Sequence, residues 1–522
     1  MLVSAATGAH RREESRAPQI IFAALALLTL LLLQAMRVGF QASDDASYLV
    51  GAFGWLEQFP YVGENHWTLR HTITVPTALA MSLLGLNEFA VSLSNIAYFC
   101  AFVTVNAWFV ARHLGAACSA VATLLIVTSP GFVVLATYLN PDVPELFFLC
   151  VAFWSLHEGL KRPGALGPWV AAGVALGFAI VNRQTAVAFL PVLAVLFVFR
   201  PLVPRSRYLL CGAASVPIIA ADWIYLTLMT GNPLYRWTID FNHDRVDRFA
   251  AVTSVSRDAA LLDREGNVSI SVFADPLLSL FVTQKYGLIF WLFVPAVIFA
   301  WRAKDHPARR TVLLLTLLAG SVFLFVAANP RLYLVPRYFV VMAWTAAVVA
   351  AWWLTCLWDK RHRLAAAGCL GAALVANVAA LSVENTNPRF VERQLLDWVR
   401  QYPGERVYTD IETLNRAHFF FRFSKVPIER ISSERAPAGA TFFYSAERVA
   451  RCAETSRCRD RVADFRPSPR WQVERVLEPE PTTVGRMVRA IGMDRRLPPD
   501  IAQRLLLPGG KATIYRVERT EP

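Results

Sequence analysis

Charge is what this sequence has least of. Asp, Glu, Lys and Arg make up 17% of its 522 residues against 55% apolar residues, where soluble chains carry about 25% charged residues. The deficit excludes an ordinary soluble enzyme. Signatures of several common chemistries are missing too. There is no Walker phosphate loop, dinucleotide fingerprint, G-x-S-x-G elbow or H-E-x-x-H helix. Cysteine is sparse. Six of the eight cysteines, Cys100, Cys118, Cys150, Cys211, Cys356 and Cys369, lie in or near apolar runs and read as small apolar fillers. Cys452 and Cys458 stand alone in a polar tail. They can pair if that tail lies outside the cytoplasm. No His or second Cys pair accompanies them to make a metal site. The net charge of +13 does not indicate a nucleic-acid reader, because much of it sits in short loops between apolar runs and no recognition motif accompanies it.

Long apolar runs are what the chain has in abundance, and they extend from 19 to 382 at membrane-spanning length. The first, Ile20 to Met36, follows H-R-R-E-E-S-R and reads as an uncleaved span with its basic end in the cytoplasm. Further spans are expected near 91–110, 118–136, 143–158, 166–181, 184–200, 208–229, 286–301, 311–328, 337–356 and 364–382, about eleven in all. Segment 72–86 is short, contains Pro76, and reads as an interfacial or re-entrant helix. This count puts a basic residue in every cytoplasmic loop, as the positive-inside rule requires: Arg112; Lys161 and Arg162; Arg200, Arg205 and Arg207; Arg302, Lys304, Arg309 and Arg310; Lys360, Arg361 and Arg363.

The expected fold is therefore a polytopic α-helical membrane protein with a C-terminal soluble α/β domain. Residues 1–18 form a cytoplasmic segment. Residues 19–382 form the transmembrane domain, with outer loops 37–90 and 230–285. Residues 383–522 form an extracytoplasmic domain, with a helix near 393–400 and strands near 405–410, 440–445 and 512–517.

Chemistry-bearing residues collect on the expected outer side. Asp44 and Asp45 follow the first span in S-D-D-A-S-Y, where one carboxylate can accept the proton of an attacking hydroxyl. Tyr48 follows Asp44 by one helical turn. Asp142 lies in N-P-D-V-P before a span, a position that also suits an N-cap. His66, Arg70 and His71 precede the interfacial segment. Arg183 sits at an outer turn against the positive-inside bias, and Arg331, Arg337 and Tyr338 belong to R-L-Y-L-V-P-R-Y. A guanidinium in such a place either snorkels to headgroups or holds a phosphate. Loop 230–285 adds Tyr235, Trp237, His243 and Asp244, which serve either to contact an acceptor or to anchor at the interface.

Four segments carry a family resemblance: S-D-D-A-S-Y; R-H-T-I-T-V-P with L-L-G-L-N-E-F-A-V-S-L-S-N; N-P-D-V-P; and P-R-Y. Through them residues 20–380 resemble the GT-C superfamily of membrane glycosyltransferases, in particular protein O-mannosyltransferases and lipid A aminoarabinose transferases. The resemblance implies a sugar carried on polyprenyl phosphate and transferred, with inversion, on the non-cytoplasmic face of a bacterial inner membrane. The acceptor would be an envelope glycan, lipid or protein. Asp44 would be the catalytic acidic residue and Asp142 the second one. Asp45 falls where those families commonly carry Glu, and Arg70 falls where a basic residue helps hold the donor phosphate, although the usual K-P-P is absent. Asp45, Tyr48, Arg70, His71, Arg183, Arg337 and Tyr338 are expected to bind substrate, with Arg183, Arg337 and one of Arg70 or His71 on the leaving phosphate. No cofactor is required; a divalent metal occurs in some superfamily members. The rival readings are a secondary transporter or lipid flippase built on an Asp142–Arg183 pair, and a non-catalytic envelope scaffold.

Overall fold

In the computed structural model, residues 2–199, 201–242, 276–277, 280–328, 335–454 and 458–518 are described. They form two compact units. The first takes Met1–Arg37, Tyr48–Ala80 and Ser92–Leu381, and the second Val38–Ser47, Met81–Val91 and Ser382–Pro522.

The first unit is a multi-pass membrane bundle. Among the described residues six helices are long and apolar enough to cross a bilayer: Glu88–Leu114, Asp142–Lys161, Arg205–Thr230, Arg309–Ala328, Pro336–Asp359 and Arg363–Ser382. Gln19–Ala35, Gly167–Asn182, Gln184–Val198 and Ile289–Arg302 are shorter apolar helices on other expected spans. His71–Leu84 is also short and apolar and holds Pro76. Helix Val340–Asp359 is buried along most of its length, and Ala343, Ala346, Ala347, Ala350 and Ala351 are wholly covered. Small residues of this kind let neighbouring helices approach closely where lipid offers no hydrophobic driving force. Asn106 Oδ1 accepts from two core indoles, Trp154 Nε1 at 3.3 Å and Trp344 Nε1 at 2.8 Å.

The stretch expected as a straight span at 118–136 is broken. Ala116–Thr128 and Pro130–Thr137 meet at 70°. Pro130 lacks an N–H and pushes the preceding residue out of the helical region; Ser129 is accordingly extended at φ −79°, ψ 127°. Polar groups at the break find partners. Ser129 Oγ and the Gly131 N–H both donate to Lys285 O, at 2.8 and 2.6 Å. The break delivers the chain into the N-P-D turn that opens helix Asp142–Lys161.

The second unit is α/β, as expected. Its five strands are β1 (Val407–Tyr408), β2 (Ile431–Ser432), β3 (Thr441–Tyr444), β4 (Gln472–Leu477) and β5 (Ala512–Arg516), in the order β2-β1-β3-β5-β4. β1 runs parallel to β2 and β3, whereas β5 runs antiparallel to β3 and β4. Phe442, Val449, Phe465 and Val517 form the core with the Cys452–Cys458 disulfide. Helix Phe390–Gln401 covers the expected 393–400 segment. β4 escapes sequence reading because it is an exposed edge strand with a register shift between Val473 and Arg475, which erases the two-residue period.

Candidate functional site

In the first unit a set of buried asparagines builds the N-P-D turn. Asn140 Oδ1 accepts from the Asp142 N–H at 3.1 Å, and Asn140 Nδ2 donates to Leu135 O and Tyr138 O. Asn95 Nδ2 donates to Tyr138 O and Asn140 O, and Asn182 Nδ2 donates to Pro141 O at 2.9 Å. Thr72 Oγ1 donates to Asn182 Oδ1 at 2.7 Å. The turn is thus tied to three helices. Asp142 stands one place after the cap, which is Pro141, and its side chain makes no capping bond. Its Oδ1 instead pairs with Arg183 Nη1. The same guanidinium lies 3.5 Å from Glu145 Oε2 and over the Tyr338 ring at 4.4 Å. Thr185 Oγ1 donates to Glu145 Oε1 at 2.5 Å. Arg337 faces the same ring at 5.5 Å. Asp142 Oδ2 is buried with no hydrogen-bond partner among the described residues. Leaving such an atom without a donor costs about 1–3 kcal/mol, and more for a charged group.

Beside this group, Arg70 Nη1 donates to the buried Tyr48 hydroxyl. Arg70 also lies within Coulombic range of Glu145 and of Asp240, which links it to the Asp142–Arg183 group. His71 Nδ1 is 3.4 Å from Asp222 Oδ1. Asp222 takes Arg236 through two bonds of 2.7 Å, and Arg236 donates further to Val181 O and Leu69 O. One guanidinium therefore grips the backbone next to Arg70 and two residues before Arg183. Asp240 Oδ2 accepts from Gln184 Nε2 at 2.8 Å, and burial pushes its carboxyl above the ordinary range. Tyr235 OH donates to Gly63 O, while Trp237 is exposed.

Asp44 and Asp45 belong to the second unit and differ sharply. They open helix Asp44–Glu57, with Tyr48 one turn further on. Asp45 is buried, and its carboxylate accepts from the backbone N–H groups of Gln41 and Ser43. Burial pushes its pKa up to about 6, against the opposing pull of those two donors and Arg389. Asp44 is half-buried. Asp45 is thus occupied by its own loop, and Asp44 is the less buried of the two.

Sequence reasoning missed Glu145, Thr185, Asp222, Arg236 and Asp240. Asp222 carried a usable signal, since an ionisable residue inside a long apolar run is rarely idle. Glu145 carried another, three residues from Asp142 on one helix face. His66 is buried against Trp67. Arg331, His243, Asp244 and most of loop 230–285 lie outside the described residues. Among the described residues no three His, Cys, Asp or Glu side chains group as a metal site.

The family of dolichyl-phosphate-mannose-protein mannosyltransferases matches residues 75–225. No curated protein matches the chain in sequence. ArnT from Cupriavidus metallidurans in the apo state is similar in structure, with a TM-score of 0.59 at 14% identity, over 97% of this chain and 100% of that one. ArnT bound to undecaprenyl phosphate aligns at 0.58, with the same identity and coverage. The archaeal oligosaccharyltransferase AglB from Archaeoglobus fulgidus, in complex with an inhibitory peptide and a dolichol-phosphate, aligns at 0.53 and 11% identity over 81% of this chain and 61% of that one. The chain thus shares the fold of ArnT and AglB, which the motifs led one to expect, and its residues 75–225 are similar to the mannosyltransferase family.

Proposed function

We propose that this protein transfers a sugar from a polyprenyl-phosphate donor to a hydroxyl-bearing acceptor, a glycan, lipid or protein, outside the cytoplasm of a bacterial cell. The observation that carries the reading is the polar group at one end of a membrane bundle, where Arg70, Arg183 and Arg337 collect with Asp142 and Glu145. ArnT and AglB, which share the fold, hold undecaprenyl phosphate and dolichol-phosphate. The Cys452–Cys458 disulfide supports an oxidising compartment for the second unit.

The acceptor oxygen attacks the anomeric carbon as its proton passes to the Asp44 carboxylate. The bond from that carbon to the phosphate oxygen breaks, and the electron pair leaves with the polyprenyl phosphate. Attack opposite the leaving group inverts the anomeric centre. Arg183 is already shared by two carboxylates, so we assign it to holding Asp142 and give the phosphate to Arg70 and Arg337. A guanidinium offers phosphate several fixed donors and stabilises the charge that develops on departure. The unpartnered Asp142 Oδ2 would accept from a sugar or acceptor hydroxyl. Asp45 supports the loop from within.

The Asp142–Arg183 pair is also what a transporter reading would use. Purified protein in proteoliposomes, supplied with labelled polyprenyl-phosphate sugars, separates the two. The proposal expects sugar on an acceptor with inverted anomeric configuration. Movement of intact donor across the bilayer without bond cleavage would replace it with the transporter.

A further inference from the structure

The 38–47 segment that carries Asp44 is built into the second unit by contacts out of proportion to its length. Phe40 is 1% exposed and sits edge-on among Phe419, Phe420 and Phe423, at 5.5, 5.3 and 5.5 Å between centroids. These three rings come from the Ile411–Phe423 helix. The Phe40 N–H donates to Glu88 Oε2 at 3.2 Å, and Glu88 is clamped by Arg393 at 2.6 and 2.8 Å. Arg389 Nε donates to Gln41 O, and Arg416 Nη1 donates to Ala42 O at 3.1 Å. The next residues, Ser43 to Asp45, are closed by the Asp45 carboxylate.

The backbone held in this way is not relaxed. Gly39 has φ +70°, a conformation that favours glycine, and a Cβ there would stand 2.6 Å from Glu88 Oε2 and displace that carboxylate. Ala42 has φ +50°, a left-handed conformation that a residue with a Cβ adopts rarely and at a cost. Such a conformation persists when its surroundings over-determine it, and here three guanidiniums and an aromatic seat do so. Arg389 is itself an expensive instrument. It is buried with Glu392 Oε1 3.9 Å from its Nη1, and burial first, then the like charges of Arg416 and Arg448, lower its pKa to about 10 against the pull of Glu392 and Asp45. This buried cation is divided between the Glu392 carboxylate and the carbonyl of Gln41 in the loop.

We propose that Arg389 and Arg416, with the aromatic seat of Phe40, are positioning residues that present Asp44 for proton transfer. Residues beyond 382 then hold, within the second unit, the segment that carries the base. This rests on the assignment of Asp44 as base. The arginines touch neither donor nor acceptor. They fix the segment two to three residues ahead of the carboxylate, and a misplacement of about 1 Å at such a point costs roughly 100-fold in rate.

The test uses the full-length protein with Arg389→Met, Arg389→Lys, Arg416→Met and Asp44→Asn. The readouts are kcat, the donor KM, and the moles of labelled polyprenyl phosphate bound per mole of protein. The expected result for each Met variant is a fall in kcat of about 10- to 100-fold, with donor KM and bound polyprenyl phosphate unchanged. Arg389→Lys should recover part of the loss, and adding Arg389→Met to Asp44→Asn should cost nothing more. Unchanged kcat in the Arg389→Met/Arg416→Met double variant overturns the proposal. So does a fall in kcat matched by an equal fall in bound polyprenyl phosphate, which marks a folding role, or an additional loss in the Asp44→Asn background. If Asp44→Asn alone keeps full activity, the base assignment falls first and takes this proposal with it. Should Arg389→Met fail to accumulate, Phe40→Leu carries the same reading.

Discussion

Asp142 and Asp45 are almost equally buried, at 1% and 2% exposure, yet different groups hold them. In the membrane bundle Asp142 faces Arg183, a full charge that also serves Glu145. In the second unit Asp45 rests on two backbone N–H groups, with Arg389 adding attraction from a distance. A low-dielectric bundle makes an uncompensated ion expensive, so the carboxylate there needs a cation. A loop that must hold a left-handed residue needs its own N–H groups collected, and a carboxylate does that with no cation bonded to it. The first arrangement gives the carboxylate a full counter-charge. The second leaves a carboxyl that changes charge near pH 6.

The largest expected effect breaks the pairing of Asp44 with its duty. Asp44→Asn should lower kcat by about 100- to 10,000-fold, the usual worth of a general base, whereas Asp45→Asn should cost far less because Asp45 faces its own loop. Measuring both in one transfer assay ranks them, and equal losses would erase the distinction.

On the membrane side, removing one partner of a buried pair leaves the other uncompensated. Asp142→Asn or Arg183→Met should each destabilise by about 3–5 kcal/mol, and the double variant by less than the sum of the two. Thermal unfolding in detergent reads this directly; simple additivity would mean that the two side chains do not interact.

Asp45 supplies a pH signature. Its folded pKa of about 6 lies above the ordinary 3.8, so between these values the folded chain keeps a proton that the unfolded chain has released. Stability from this group is fully present below about pH 4 and is lost as pH rises through 6, by about 3 kcal/mol in total. Asp45→Asn should flatten that slope in unfolding midpoints measured from pH 4 to 7. A slope of the opposite sign would mean that Asp45 is held as an ion.

Much of the bundle was legible because an apolar run long enough to span a bilayer admits few other readings, and basic loops fixed which segments to count. Asp142, Arg183 and Tyr338 were legible as polar residues at span ends. Glu145, Asp222 and Arg236 were not, because what makes them matter is a partner distant in sequence: Arg183 lies 38 positions from Glu145, and Leu69 O lies 167 from Arg236. The bend at Ser129 was written in Pro130 but hidden by the hydropathy of its surroundings. The grip on residues 38–47 joins Gln41 to Arg389 across 348 positions, and no local pattern announces a bond of that span.

The smallest expected effect concerns metal. Asp142 and Glu145 already share a guanidinium, which disfavours a cation at the same oxygens. Transfer activity should therefore survive exhaustive chelation; its loss and recovery with a divalent ion would show that the carboxylates exchange Arg183 for a metal.

The most direct test follows the anomeric configuration and rate of sugar released from a labelled polyprenyl-phosphate donor by the wild-type protein and by Asp44→Asn, with donor binding measured alongside. The account predicts an inverted product from the wild type and at least about a 100-fold loss in the variant, at unchanged donor binding. Equal rates for the two proteins, or donor recovered intact on the opposite side of the vesicle, would contradict it.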